Sequence, residues 1–306
     1  MIRYQNNKRY YTYDSFLKEK FGSKTMKIPL DGGFSCPNID GKRGHGGCTY
    51  CTKESLSYRG RPLSEQFELA KAPLLKKWGR EGVKEQYIQY FQVFSNTYAP
   101  VEKLKSPYYE ALSLPNTVGL SIATRVDCLN DDIIALLREI NEKTFLTVEL
   151  GLQTIHEDTA KRINRGHTYK EFLDGYHSLD GINRVVHLIN GLPGENKEMM
   201  LESAKAVAKL RPHGVKIHML YLEEGTKMTE EYKKEPFHIL SREEYVDITV
   251  SQLEFFHSDT VIGRLTGDGK ADKLVEPQWS VKKFCVLNEI DKEFRRRNSY
   301  QGIYFE

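Results

Sequence analysis

Short runs of apolar and β-branched residues recur along the chain, and segments with apolar residues at helical spacing separate them. The runs lie at 26–30, 87–94, 118–123, 145–150, 185–189 and 215–220. A repeated strand–helix order predicts parallel strands joined by right-handed crossovers. The pattern therefore predicts an α/β fold, either an open parallel sheet or a partial (β/α)6 TIM-like barrel.

Prolines, glycines and capping residues mark where these elements begin and end. Pro29 lacks the amide hydrogen that a central strand donates, so the first strand is expected at a sheet edge or to be irregular. Gly22 is expected to end a helix at 13–20, and Pro73 to kink a helix at 64–78. Predicted N-caps are Ser64, Thr154 with Glu157, Thr168 with Glu171, Asn196, and Ser241 with Glu244.

The regular alternation loosens after residue 226, where a helix at 245–256, a strand at 261–265 and a last helix at 279–297 are predicted. No segment with the composition of a linker separates this part from the rest. We predict an N-terminal extension at 1–24, a core at 25–230 and a C-terminal extension at 231–306 packed on that core.

Polar residues follow the predicted strands, directly after the last apolar position of each. In parallel α/β folds the carboxyl ends of the strands lie at one edge of the sheet, where ligands bind. A glycine-rich cysteine loop follows the first strand. We expect this loop to share one polar ring around a bound cofactor with Ser95, Asn96, Thr124, Arg125, Gln153, Asn190, Gly191, Glu223 and Glu224.

Composition restricts the class of protein. The 306 residues include no apolar run long enough to span a bilayer, and the N-terminus lacks the apolar core of a signal peptide. We expect a cytoplasmic globular protein with no membrane partner.

Because 45 basic residues nearly balance 42 acidic ones, net charge alone does not indicate a nucleic-acid partner. Five cysteines do not form a disulfide framework, and Cys128 and Cys285 are expected to be packed or incidental thiols.

The glycine-rich loop at 32–51 carries Cys36, Cys48 and Cys51. Three thiolates hold three corners of a cubane iron–sulfur cluster and leave the fourth iron open for another ligand. Two alternatives remain from the residues alone. The three cysteines form a structural Cys3His zinc site with His45, or Cys48 and Cys51 act as a redox dithiol.

Three clusters mix cations with aromatic rings, a combination that suits phosphate contacts and base stacking on RNA. For any single cluster, a solvated surface with buried tyrosines is the simpler interpretation. The clusters are Lys8 and Arg9 with Tyr4, Tyr10, Tyr11 and Tyr13; Arg59 and Arg61 with Tyr58; and Arg295, Arg296 and Arg297.

The frame Gly-Phe-Ser-Cys-Pro-Asn, closed by Gly-Gly-Cys-Thr-Tyr-Cys, resembles the cluster loop of radical S-adenosylmethionine (radical SAM) enzymes. Their usual spacing is Cys-x3-Cys-x2-Cys. The longer interval between Cys36 and Cys48 is typical of the subgroup related to the radical SAM half of the elongator catalytic subunit. Further segments resemble that subgroup at 122–127, with Val126 in place of a proline, and at 149–154, 164–168, 187–194 and 215–226.

The segments 91–99 and 264–268 resemble most the shorter bacterial branch of this subgroup, the MnmL (YtqA/YhcC-like) enzymes of the tRNA wobble uridine. We expect no acetyltransferase domain like that of the elongator subunit in these 306 residues. The resemblance implies conversion of 5-carboxymethylaminomethyl(-2-thio)uridine to 5-aminomethyl(-2-thio)uridine. It also implies three partners: the tRNA anticodon loop, a low-potential electron donor such as flavodoxin or ferredoxin, and a methyltransferase that acts afterwards.

The same resemblance implies a [4Fe-4S] cluster held by Cys36, Cys48 and Cys51, with S-adenosylmethionine (SAM) on the open iron as the source of a 5′-deoxyadenosyl radical. The amide of Gln153 is expected to contact a ribose hydroxyl of SAM, and Arg165 and Lys216 its carboxylate. Glu149 and Arg125 are further candidates, unless they form a purely structural pair at the strand ends. His187 is expected to face the barrel interior, as a packed or a catalytic histidine.

Two other functions remain open. A radical SAM enzyme that acts on a small molecule or a peptide shares every cluster residue, and differs only in what the basic, tyrosine-rich segments contact. A non-catalytic, zinc-stabilised RNA-binding protein uses His45 in place of the open iron.

Overall fold

Seven parallel strands form one curled sheet, a half-barrel that confirms the predicted fold class. The structure is a computed structural model that describes residues 8–52, 54–79, 84–267 and 269–305. The strands are β1 (Thr25–Leu30), β2 (Gln86–Phe91), β3 (Thr117–Thr124), β4 (Phe145–Gln153), β5 (Asn183–Asn190), β6 (Gly214–Met219), β7 (Leu222–Glu223), β8 (Val261–Arg264) and β9 (Leu274–Glu276). The large sheet has the order β1-β2-β3-β4-β5-β6-β8, and β7 pairs antiparallel with β9.

Helices follow the strands and pack on the outside of the sheet. They are α1 (Tyr13–Phe21), α2 (Leu63–Trp78), α3 (Val101–Ser113), α4 (Asp131–Lys143), α5 (Glu157–Arg162), α6 (Tyr169–Ser178), α7 (Lys197–Lys209), α8 (Lys227–Lys234), α9 (Arg242–Leu253) and α10 (Lys283–Arg296). In α4, for example, the aliphatic side chains at helical spacing are buried, from Ile133 to Ile140. No helix in the described ranges has the length and apolar character needed to cross a membrane.

Three of the five predicted helix starts are confirmed: the capping boxes of Thr168 and Ser241, and the Asn196 cap. Two are wrong. Ser64 lies inside α2, whose N-cap is Pro62. Thr154 does not cap α5, because its hydroxyl donates to the Glu195 carboxylate and accepts from the His156 amide at 3.1 Å, which leaves His156 as the N-cap.

The two edges of the half-barrel are β1 and β8. The edge position of β1 confirms the prediction from Pro29. The strand at 261–265 is also confirmed, but it joins the main sheet beside β6, so the sheet has seven strands where the sequence pattern predicted six. Helix α1 packs against both β1 and β8, and the Ile262 amide donates to the Tyr11 carbonyl at 2.8 Å. The N-terminal segment and β8 thus lie together beside the open side of the barrel.

Candidate active site

A cavity of about 520 Å³ lies between the cysteine loop and the carboxyl ends of the central strands. We call it the cysteine cavity. Four residues of the predicted polar ring do not line it: Asn96, Asn190, Gly191 and Glu224. The Asn96 amide donates to backbone carbonyls and the Asn190 amide to Gln252. The predicted residues that do line it are Cys36, Cys48, Cys51, Ser95, Thr124, Arg125, Glu149, Gln153, Arg165 and Glu223.

The cysteine loop keeps its shape through backbone bonds and two clamping asparagines. Gly47 has a φ of 78°, and its amide donates to the Asn38 carbonyl at 2.7 Å, which turns the chain tightly before Cys48. The buried Asn38 side chain donates to the Cys48 Sγ at 3.6 Å and to the Asn164 carbonyl. Asn164 in turn donates to the Gly47 carbonyl at 2.8 Å. The segment after α5 therefore fixes the loop that carries the thiols.

The three thiols are close enough to influence one another electrostatically. Burial raises the pKa of Cys48, the charge of Arg125 opposes that rise, and Cys51 and Cys36 add to it. A cubane cluster takes each thiolate on a different iron, so its cysteines surround a cavity instead of converging on a point. Three soft donors around one cavity, with a permanent cation beside them, fit a [4Fe-4S] cluster.

The two alternative interpretations of the loop lack this support. The His45 ring lies against Gly41 and does not line the cysteine cavity. Over the described residues, no group of three His, Cys, Asp or Glu side chains is placed to ligate a single metal ion. A redox dithiol needs a thiol with a lowered pKa, whereas the pKa of Cys48 is raised. Of the remaining cysteines, Cys128 is buried and Cys285 is exposed.

Arg125 and Arg165 form a connected pair at one wall of the cysteine cavity. Arg125 bonds Asp127 through two nitrogens, at 2.9 and 2.7 Å, and donates to the Arg165 carbonyl at 2.6 Å. The structural pair expected between Glu149 and Arg125 is absent, because Asp127 takes the guanidinium. Bonds to Asp127, together with its charge, outweigh burial and raise the pKa of Arg125, so this cation is permanent beside the thiols.

Arg165 is buried, yet one of its nitrogens has no bonding partner among the described residues. Its Nε donates to the His167 carbonyl at 2.9 Å, and its Nη1 to the carbonyls of Leu152 and Thr154 at 2.7 and 2.5 Å. Its Nη2 makes no hydrogen bond there, and the nearest carboxylate oxygen, of Glu157, is 4.0 Å away. A buried guanidinium nitrogen without an acceptor is a binding position for a polar ligand group.

Gln153 ends β4 in a left-handed conformation, with a φ of 64°, at an irregularity in the pairing of β4 with β5. Its side chain folds back over Gly151, where an added Cβ would lie 2.5 Å from the Gln153 side-chain amide. Gly151 therefore makes room for the Gln153 amide at the wall of the cysteine cavity. This strand end carries the polar group that the sequence pattern predicted.

Glu149 lies at the centre of the barrel and accepts hydrogen bonds from five side chains. Its donors are Lys27, Ser121, Tyr90, His187 and Lys216, on five different strands. The lysines outweigh the penalty of burial and hold the pKa of Glu149 well below its usual range. Burial lowers the pKa of His187, which keeps that ring neutral beside the ionised carboxylate.

Lys216 lies outside the cysteine cavity, on the other side of Glu149. It lines a second cavity of about 490 Å³ together with Lys27, Arg264 and Glu149. We call this second cavity the lysine chamber. Burial, opposed by Glu149 and reinforced by Lys27 and Arg264, lowers the pKa of Lys216 to about 7. The five residues predicted to contact SAM therefore divide between two cavities.

Several basic residues of the three predicted clusters form ion pairs within the fold. Arg297 bonds Asp247, Glu254 and Glu293, and Lys8 pairs with Asp291. Tyr10 and Tyr11 are buried, whereas Tyr4 lies outside the described residues, as does Asp268 of the 264–268 segment. Arg59 donates to loop carbonyls and lies 4.0 Å from the Asp31 carboxylate, and it also lies over the Phe94 ring at the edge of the cysteine cavity, 5.2 Å from its centroid.

Sequence reasoning missed the functional side chains whose role appears only in three dimensions. Lys27 and Tyr90 were assigned to strands and given no role at the site, although both bond Glu149. A signal was present, because a lysine between Met26 and Ile28 in an apolar strand points to the opposite face. Asn38 and Asn164 stand in the segments that resemble the family, but their mutual contact was not predicted, since it joins residues far apart in the chain.

The fold and the cysteine cavity define a radical SAM half-barrel, and the comparisons agree. The chain belongs to the radical SAM superfamily, whose family model matches residues 39–207. A radical SAM C-terminal domain model matches residues 212–296. The protein is therefore a radical SAM enzyme whose cofactors are a [4Fe-4S] cluster and SAM.

Individual relatives identify the subgroup within the superfamily. The chain is 46% identical to the YtqA protein of Bacillus subtilis over 98% of this chain and 94% of the relative. It is 32% identical to the YhcC protein of Escherichia coli over 94% of this chain and 92% of the relative. Human elongator complex protein 3 is 26% identical over 52% of this chain, a match that spans 30% of that protein. The subgroup related to elongator, inferred from the motifs, is confirmed.

A solved structure of Elp3 from the archaeon Methanocaldococcus infernus has the same fold. It superposes with a TM-score of 0.66 at 18% identity, and covers 91% of this chain and 64% of that one. The shared part includes the half-barrel that carries the cysteine cavity. This similarity supports the fold without assigning a substrate.

Proposed function

We propose that this enzyme modifies the wobble uridine of tRNA, converting 5-carboxymethylaminomethyl(-2-thio)uridine to 5-aminomethyl(-2-thio)uridine. One observation carries the proposal: part of the chain is similar in sequence to a relative that is named for tRNA uridine chemistry. The chain is 31% identical to the tRNA uridine(34) acetyltransferase of Methanocaldococcus jannaschii over 43% of this chain, a match that spans 25% of that relative. We assign the radical SAM core to 25–230 and extensions to 1–24 and 231–306.

Within the cysteine cavity, Cys36, Cys48 and Cys51 would hold the cluster. When bound, the cluster and SAM together would supply a 5′-deoxyadenosyl radical for hydrogen abstraction from the substrate. We assign SAM binding to Arg165, whose Nη2 is buried without a partner in the described residues, and to the Gln153 amide. Arg125 offsets the negative charge of the thiolates. Glu149 would form part of the wall between the cysteine cavity and the lysine chamber. Lys216 would lie behind it, in the lysine chamber.

The chain's own residues keep this site dry and ordered. The carboxyl ends of the strands form one wall of the cysteine cavity and the cysteine loop forms another, so a bound cofactor and substrate would complete the exclusion of water. The Lys270 and Lys273 side chains both bond Glu54, which ties the loop to the 270–273 turn. A reactive radical requires such exclusion of water and of stray carbon–hydrogen bonds.

An unpaired anticodon base is the kind of RNA element that proteins recognise by stacking and by contacts to its edges. Arg59 over Phe94 places a cation and a ring at the edge of the cysteine cavity, where an inserted base and its phosphates would approach. The remaining basic clusters are mostly engaged in ion pairs. We therefore place the RNA contact at the edge of the cavity, with a flavodoxin- or ferredoxin-like electron donor and a later methyltransferase as further partners.

The proposal is tested by reconstituting the cluster anaerobically and measuring 5′-deoxyadenosine after reduction with SAM. Undermodified tRNA that carries the carboxymethylaminomethyl group is expected to increase its formation, and nucleoside analysis is expected to show 5-aminomethyluridine. tRNA that lacks the group is the matched control. SAM cleavage that does not respond to either RNA contradicts the proposal and favours a small-molecule or peptide substrate.

A further inference from the structure

The Asn38 side chain brings a hydrogen-bond donor to the sulfur of one of the three cluster cysteines. Asn38 is fully buried, and its Nδ2 donates to the Cys48 Sγ at 3.6 Å. A thiol sulfur is a weak acceptor, whereas a thiolate that ligates iron carries negative charge and accepts more strongly. We therefore expect this bond to be stronger when the cluster is bound than in the free protein.

A second bond of the same amide determines which of its atoms faces the sulfur. The Asn38 Nδ2 also donates to the Asn164 carbonyl. In the reversed orientation the Asn38 Oδ1 would face this carbonyl oxygen, and two acceptors repel each other. The nitrogen, and not the oxygen, therefore lies beside Cys48.

The surrounding backbone leaves the Asn38 amide little freedom to move. The Asn38 carbonyl accepts from the Gly47 amide at 2.7 Å, and a Cβ at either Gly44 or Gly166 would collide with the Asn38 Oδ1. This Oδ1 is buried and accepts no hydrogen bond from the described residues, which is unfavourable. The amide is thus placed to satisfy its nitrogen and not its oxygen, and the donor is preorganised towards the sulfur.

A donor at this sulfur affects how easily the cluster is reduced. Radical formation requires one electron at the cluster, and that electron adds negative charge beside the thiolates. A protein interior disfavours charge that it does not compensate. Arg125 compensates through its positive charge, and Asn38 does so through a directed bond. Because a hydrogen bond to sulfur is stronger in the more negative state, it raises the reduction potential.

We propose that Asn38 sets the reduction potential of the cluster by donating a hydrogen bond to the Cys48 sulfur. Asn38 is a positioning residue in this assignment, because it acts on the cluster through Cys48. The bond makes the cluster easier to reduce, so an electron donor with a less negative potential can supply the electron. The inference requires the cluster but not the tRNA substrate, so it can be tested independently of the proposed reaction.

The first test compares midpoint potentials of the reconstituted cluster in the absence of SAM and RNA, measured by electron paramagnetic resonance (EPR) at a series of fixed potentials. Asn38→Ala should make the potential more negative, by about tenfold in the reduction equilibrium or about 59 mV for a one-electron couple. The reason is that the reduced cluster loses a bond that stabilises it more than the oxidised cluster.

Asn164→Gly is the matched control. It removes the side-chain bonds to the carbonyls of His45 and Gly47, so it loosens the same loop. It keeps the backbone carbonyl that accepts from Asn38, and glycine tolerates the φ of 52° at this position. The potential of this variant should stay at the wild-type value. Equal potentials for Asn38→Ala and the wild type overturn the proposal. Equal shifts in both variants also overturn it, because they would result from a loosened loop.

The second test uses the wild-type protein and does not require a variant that retains the cluster. The protein is produced with asparagine that is isotopically labelled only at its side-chain nitrogen, and the reconstituted cluster is reduced. Pulsed EPR is expected to show a coupling to the labelled nitrogen, because the Asn38 amide bonds a sulfur that shares the unpaired spin. The coupling should persist in Asn164→Gly, which assigns it to Asn38. If the wild type shows no such coupling, the proposal is overturned.

Discussion

The cysteine cavity and the lysine chamber meet at Glu149, and they differ in the kind of cation they use. On the cysteine side the cations are Arg125 and Arg165, held by Asp127 and by backbone carbonyls. On the other side are two lysines that bond the Glu149 carboxylate. An arginine keeps its charge in any surroundings, whereas a buried lysine changes its pKa with its neighbours.

This difference fits the task of each space. Thiolates that ligate a cluster need a constant opposing charge, which Arg125 supplies beside Cys48. On the other side, the pKa of Lys216 is lowered to about 7 by burial, so its charge depends on its surroundings. Changes on one side of Glu149 should therefore affect the cluster, and changes on the other side should affect the pH dependence of stability.

The largest expected effect is on the cysteine side. Cys48→Ala removes one of three ligands, so iron and sulfide bound per chain should fall to background after anaerobic reconstitution. The circular dichroism spectrum should stay unchanged, because the loop retains its backbone bonds to Asn38 and Ile163. Cys285→Ala, at an exposed thiol, should bind iron like the wild type. Full iron content in Cys48→Ala would contradict the assignment.

The next largest effect is expected at Glu149, in the wall that the two cavities share. Glu149→Gln leaves two buried lysines without their carboxylate, and breaking a buried pair in this way costs about 3–5 kcal/mol of unfolding free energy. Urea unfolding of the cluster-free protein measures the loss. Asp174→Asn, on an exposed pair with Lys170, is the control and should leave the midpoint unchanged. Equal midpoints for the two variants would show that Glu149 does not hold the barrel interior together.

Some features of the two cavities could be predicted from the sequence, and others could not. The strands, the cysteine loop and the polar residues at the strand ends follow from local patterns, because period and turn residues are encoded within a few positions. The placement of β8 was missed, since joining the sheet depends on pairing with β6, which comes more than forty residues earlier in the chain. The division of Arg165 and Lys216 between two cavities was also missed. Both are basic residues near strand ends, and only the curvature of the sheet places Glu149 between them.

A smaller effect tests the clamp on the cysteine side. Gly166 and Gly181 have φ values of 84° and 90°, so an alanine at either position carries similar backbone strain. A Cβ at Gly166 would lie 2.6 Å from the Asn38 Oδ1, whereas nothing lies within 4 Å of one at Gly181. Gly166→Ala should therefore lose about 1–3 kcal/mol more than Gly181→Ala in urea unfolding. It should also retain less iron, because Asn38 contacts Cys48. Equal losses would show that Asn38 moves away freely.

The smallest effect is a change of the unfolding free energy with pH, which we expect from Lys216 in the lysine chamber. The pKa of Lys216 falls from 10.5 to about 7 in the folded protein, mainly through burial. Between pH 7 and 9 the unfolded chain therefore binds more protons at this lysine than the folded chain does, and stability rises with pH by at most about 1.4 kcal/mol per unit. Lys216→Met should remove that contribution, so the wild type should gain stability relative to the variant across this range. A constant difference between the two would show that Lys216 stays charged, and that its bond to Glu149 compensates for burial.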